Sequence, residues 1–162
     1  MISLVASIAL AAQGWAFGEQ TLEYAMGEGA VKSEDVLTLM PEGKGPTAIL
    51  TCDADGKIGA MLLLSATDPA RSVDAQFIRR RQISGAILAN GREVHRGVYP
   101  GLDRNLYQVK SRKGSAEIYN AVLRGDDLSF TRDGRGNTGA LNTPPIDDAF
   151  RSFASACSAR RS

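Results

Sequence analysis

The side chains able to do chemistry are few and widely spaced. Cys52 and Cys157 are the only cysteines in the chain. Outside the reducing cytosol such a pair forms a disulfide. Closing a loop of about 100 residues stabilises a domain by about 4.7 kcal/mol in the chain-entropy picture. The alternative is two buried, reduced thiols. Two cysteines and one histidine do not close a tetrahedral zinc shell without carboxylates, and neither a metal nor a cofactor is expected. His95 is the only histidine. It would serve as a general base if an acid oriented it and a nucleophile lay near. Its neighbours Val94 and Arg96 alternate as in a strand, which reads as a surface or edge histidine. No catalytic residue is assigned.

Arginines form the best candidate surface. Arg79, Arg80 and Arg81 are consecutive, and strand geometry turns Arg80 away from the other two. Arg92 and Arg96 fall on neighbouring strands. Arg79, Arg81, Arg92 and Arg96 are therefore the candidate basic binding face, suited to phosphate, anionic polysaccharide or an acidic partner. Asp74, Glu93 and Asp103 would instead neutralise it as solvated sheet surface. Three further motifs have structural explanations. Gly134, Gly136 and Gly139 match G-x-G-x-x-G, but no helix opens there, as a dinucleotide site requires. Arg124-Gly125-Asp126 spells an adhesion tripeptide at a point where a glycine is needed to end a helix. Asp53 and Asp55 resemble the start of a calcium loop, with glycine two positions early and no glutamate at the twelfth.

The elements that must position these residues fit one domain. The chain has 162 residues, 43% hydrophobic and 23% charged, with 17 glycines and six prolines. The 19 basic and 18 acidic residues leave a net charge of +1, so no global field recruits nucleic acid or anionic lipid. The start, MISLVASIALAA, is apolar and uncharged but too short to span a bilayer, which takes about 20 residues. Ala9-Leu10-Ala11 offers a small-x-small cleavage site, and Ala12 or Ala16 could also precede cleavage. Residues 1–16 are read as a signal peptide, 17–157 as a single β-rich domain and 158–162 as a frayed basic tail. No second apolar stretch is long enough to span a membrane after leader removal.

Strands are expected over Thr21–Met26, Val36–Met40, Thr47–Cys52, Lys57–Ser65, Val73–Ser84, Gly85–Asn90, Glu93–Tyr99, Asn105–Lys110 and Asp127–Arg132. Asp55-Gly56 and Asn90-Gly91 are hairpin turns, and Pro100-Gly101 is a further turn. Ser115 caps a short helix ending at Gly125. Asp147 caps a last helix over Asp148–Ala156, with Ala149, Phe150, Phe153, Ala156 and Cys157 inward. Trp15, Phe17 and Phe77 are core candidates. The fold class is mainly β: an antiparallel β-sandwich or open barrel with two short peripheral helices.

The C-terminal half carries a helix closing on glycine (Ile118–Gly125, IYNAVLRG), a strand (Leu128–Thr131), a glycine-bearing turn and a last helix with a terminal cysteine (Asp148–Cys157). This resembles exported bacterial proteins of the invasion-associated locus B type over roughly residues 73–157. Ala121 to Leu128 carries part of their A-x-x-L-x-x-G-x-x-L motif. Pro144-Pro145-Ile146 stands where the family has an apolar-glycine-phenylalanine sequence, and only one cysteine pair is present. The resemblance implies a periplasmic β-sandwich without known catalysis and carries over no catalytic residue. The function expected is a periplasmic or secreted cell-envelope binding or accessory domain. Its partner would be a protein or an anionic envelope component. The alternatives are a subunit of a larger envelope complex, whose exposed strands augment a neighbour's sheet, and an envelope hydrolase using His95.

Overall fold

The computed structural model describes residues 14–74, 81–103, 105–135 and 138–162. β1 (Trp15–Gly27) and β2 (Ala30–Pro41) form a long antiparallel hairpin. They turn at Glu28-Gly29, with φ of 50° and 78°. Such paired positive φ values match the twist of flanking strands. β3 (Thr47–Cys52) and β4 (Ile58–Leu63) follow as a second hairpin. Next come α1 (Pro69–Asp74), β5 (Gln82–Ala89), β6 (Arg92–Asp103) and β7 (Leu106–Val109). Asn90-Gly91 joins β5 to β6 with φ of 50° and 78°, the turn expected from its sequence. α2 (Arg112–Arg124), β8 (Leu128–Arg132), β9 (Thr138–Leu141) and α3 (Asp148–Ala159) complete the chain.

The strands make one nine-stranded sheet in the order β1-β2-β3-β4-β7-β6-β5-β8-β9, every neighbouring pair antiparallel. The mainly β class expected from the sequence is what is found. The sheet curls until its ninth strand returns to its third. Asn142, just past β9, bridges Thr47 and donates its amide to Pro46 O at 2.8 Å. This is an open barrel, with the β1–β2 hairpin as a flange outside the closure. β6 makes the curl possible. It pairs β5 as far as Pro100 and β7 from Gly101 onward. Pro100-Gly101 is thus a bend inside a continuous strand, not the expected turn, because a strand that changes partners must turn a corner there.

Alternation along each strand builds two apolar layers. Ala48, Leu50 and Cys52 face the main core with Leu62, Ile87, Phe130, and Ile118 and Val122 of α2. Phe150, Phe153 and Cys157 of α3 close it. Ile49, Met61, Leu63 and Leu106 face the other side with Leu22, Val36 and Met40. Each buried Val, Leu, Ile, Phe or Met side chain among these contributes about 1.5–3 kcal/mol relative to exposure.

Several local expectations are corrected. Val73 and Asp74 are helical, not strand. Asp68 starts α1 by accepting the Ala70 amide at its side chain, with Pro69 in the first helical position. Phe77 lies outside the described residues. Three helices, not two, are therefore present among the described residues. α2 starts earlier than predicted, because Ser111 rather than Ser115 accepts the Gly114 amide, at 3.1 Å. Ser115 is buried and donates to Val109 O. Phe17 is 39% exposed and packs edge-on against Phe153 instead of entering the core. Trp15 and Ala16, grouped with the leader by the sequence reading, lie in the sheet. Trp15 is buried, its indole donates to Pro144 O at 3.0 Å, and its amide donates to Asp147 at 2.9 Å. Ser158 and Ala159, assigned to a frayed tail, belong to α3, and the arginines that follow are docked.

Candidate functional site

The disulfide is formed. Cys52, at the end of β3, bonds Cys157 on α3, with α-carbons 5.8 Å apart, inside the range that a disulfide spans. Both residues are buried. The bond brings the C-terminal helix against the β3–β4 turn.

Among the described residues, Arg81, Arg92 and Arg96 are not brought together on one face. Arg79 lies outside the described residues. Arg81 is exposed ahead of β5, and its carbonyl accepts the Gly101 amide. Arg92 sits at the opposite end of the same hairpin, opposite Ala89, which puts about 26 Å of strand between the two. Arg96 lies between them and is occupied. It grips Glu93 through Nε and Nη2 at 3.1 and 3.0 Å, and its Nη1 meets Asp133 at 2.6 Å. These hydrogen bonds and charges push its pKa still further up. Glu93 is one of the neutralising acids expected, and Asp133 from the β8–β9 turn is a further one that the sequence did not indicate.

His95 packs between β6 and α2. Its Nδ1 is 2.9 Å from the Tyr99 hydroxyl. Its ring lies so close to Gly114 that a Cβ there would stand 3.0 Å from ring atoms. Burial, then the Lys113 charge, lowers its pKa against the pull of Glu117. Burial also pushes the Tyr99 hydroxyl up to about 12. The histidine fastens α2 to β6. The other motifs keep their structural roles. Asp53 Oδ1 accepts the amides of Asp55 and Lys57 at 2.9 and 2.8 Å, making a turn, and no metal-binding group of three residues occurs among the described residues. Arg124 pairs with Asp126 beside the Gly125 cap. Gly139 lies in β9, so no helix follows the glycine-rich turn.

A different cationic site forms beside the disulfide. Arg160 Nη1 donates to the Cys52 and Asp53 carbonyls at 3.3 and 3.2 Å, and Nη2 pairs with Glu19 at 3.3 Å. Arg161 Nε donates to Gly56 O at 2.7 Å. The docked tail sets Arg161 beside Lys57 of the β3–β4 turn and Arg112 at the start of α2. These three cations line a groove of about 400 Å³ whose floor is Ile58, Ala116 and Tyr119. Tyr119 is stacked on Phe150 at 5.6 Å, which fixes the floor. Among the described residues, Asp55 is the one acid on the rim. A second hollow of about 320 Å³ shares Lys57, Ile58 and Arg112 and adds Lys110, with Glu34 and Asp53 opposite.

Among the described residues, none of Lys57, Lys110, Arg112 or Arg161 is in an ion pair. The first turn of α2 holds no acid, and Arg112 and Lys113 stand at its positive end. Cations there oppose the helix dipole by about 0.3–1 kcal/mol each. This placement costs stability, but it concentrates positive potential where an anion would meet it. The sequence shows no contiguous signal for this site. Its three cations come from residues 57, 112 and 161, and the disulfide and the tail contacts bring them together. No protein-family model matches the chain, and no curated protein or solved structure is significantly similar to it.

Among the described residues no helix is long and apolar enough to cross a membrane.

Proposed function

We propose that the chain is an exported cell-envelope binding domain, periplasmic or secreted, without catalytic chemistry. In this reading it takes the anionic groups of an envelope component in the groove of Lys57, Arg112 and Arg161. The observation that carries the reading is the convergence of three cations, free of ion pairs among the described residues, on one groove with an apolar floor. The bonded cysteine pair supports export, since such bonds persist in oxidising compartments. The succession of α2, Gly125, β8 and a cysteine-bearing α3 supports the likeness to proteins of the invasion-associated locus B type.

Two measurements test this. Intact mass of protein recovered from the envelope fraction should show the apolar leader removed and two hydrogens missing; a full-length or reduced species counts against export. Oxidised protein should be retained on an immobilised anionic polysaccharide such as alginate, with retention falling as salt screens the contact. Retention unchanged in a Lys57→Ala, Arg112→Ala, Arg161→Ala triple variant would remove the groove from the account.

A further inference from the structure

A third hollow, sharing no lining residue with the groove, opens where the barrel closes. Leu128 and Phe130 of β8 face the core. Arg132 is the next residue on that face, half-buried at the barrel's end. Here a hollow of about 360 Å³ is walled by Leu64, Tyr107, Phe130 and Leu141, with Arg132 and Arg135 at its rim. Its walls are inward positions on β7, β8 and β9 and the residue after β4, so the hollow is the mouth of the barrel, not a surface crease. Mouths of small barrels are recurrent ligand sites.

Three observations mark this mouth as open and charged. Gly139 of β9 lines it, and a Cβ added there would meet no atom of the described residues within 4 Å. Among the described residues neither Arg132 nor Arg135 pairs with a carboxylate. Asp133, between them in sequence, is already engaged by Arg96 at 2.6 Å. A half-buried guanidinium without an anion is costly, and arginine binds carboxylates through paired hydrogen bonds. The volume is at the small end of ligand pockets, too small for a polymer or a folded partner.

The geometry points to a binding site for a small amphipathic carboxylate. Its apolar part fills the space between Leu64, Tyr107, Phe130 and Leu141, and its carboxylate meets Arg132 and Arg135. The acid is an acyl or an aryl one.

Calorimetric titration of the oxidised full chain with decanoate, 2-naphthoate and inorganic phosphate tests this. At least one organic acid should bind with a Kd at or below about 1 mM, and phosphate should bind at least about tenfold more weakly. Tighter decanoate assigns an acyl chain and tighter naphthoate an aromatic ring; either supports the site. Arg132→Gln and Arg135→Gln should each weaken binding about tenfold. Gly139→Leu should fill the mouth and abolish binding while leaving the melting temperature within about 2 °C, which separates blockage from misfolding. Absence of binding by both acids overturns the proposal, as does phosphate binding equally well or affinity surviving Gly139→Leu. Loss of the anionic polysaccharide contact alone leaves these readouts unchanged, so the two sites are tested separately.

Discussion

Arg161 donates through Nε to the carbonyl oxygen of Gly56 at 2.7 Å, and each residue lies four positions beyond a half-cystine. The covalent bond and this hydrogen bond run side by side and fix the register of the tail on the β3–β4 turn. Gly56 has φ of +76°, and a Cβ on it would stand 2.9 Å from Cys157 O. Gly56→Ala should therefore lose about 1–3 kcal/mol of stability from backbone strain and the clash. Urea denaturation with the disulfide intact measures it. A loss below a few tenths of a kcal/mol would mean that the turn and the tail do not approach this closely.

Removing the cross-link should weaken the whole domain. Cys52→Ser with Cys157→Ser, or reduction of the native bond, is expected to cost about 2–5 kcal/mol. Both half-cystines are buried, so reduction under native conditions should be slow without denaturant. A matched pair of urea titrations decides the matter. Equal midpoints for the oxidised and reduced chains would contradict the role given to the bond.

Arg112 separates stability from binding. It lies in the first turn of α2, where its charge opposes the helix dipole. Arg112→Glu should stabilise the domain by about 0.3–1 kcal/mol while weakening retention on alginate. A variant that is less stable, or that binds as well as the native chain, would show that this position was not given over to a ligand.

Acid should destabilise the fold in two steps. Burial first, and Lys113 second, lower the His95 pKa against Glu117. The unfolded chain therefore takes up the proton more readily. The His95 contribution is full above about pH 6.5 and is lost as pH falls from there through the lower folded-state value. Asp147 shifts in the same direction for a different reason. Burial alone would raise its pKa, but the amides of Trp15, Phe150 and Ala149, with Arg151, bring it below the ordinary carboxylate value. Its contribution is full above about pH 4 and is lost below. Melting temperatures across this range should show both steps. His95→Gln should flatten the upper one. Asp147→Asn, which keeps a capping oxygen, should flatten the lower one.

What was legible in the sequence followed from local rules. Asn90-Gly91 makes its hairpin because both residues accept positive φ. Asp147 caps α3 through the Phe150 amide at 2.9 Å, as its position before an apolar helix foretold. The cysteine pairing was legible because no other partner existed. The illegible features depend on distance. Pro100-Gly101 reads as a turn, and only the change of partner from β5 to β7 makes it a corner in β6. Ser111 and Ser115 are equivalent as caps until burial of Ser115 selects between them. Arg160 and Arg161 look like a loose basic end until the disulfide sets them against backbone carbonyls. The groove was invisible for the same reason, being assembled across a loop closed by one covalent bond.

The most direct test of the central claim is a ¹H–¹⁵N chemical-shift titration of the oxidised chain with a short alginate oligomer. The expected result is a saturable set of shifts at Lys57, Ile58, Arg112, Tyr119 and Arg161 that disappears in high salt. Shifts confined to Arg81, Arg92 and Arg96, or no saturable shift, would contradict it.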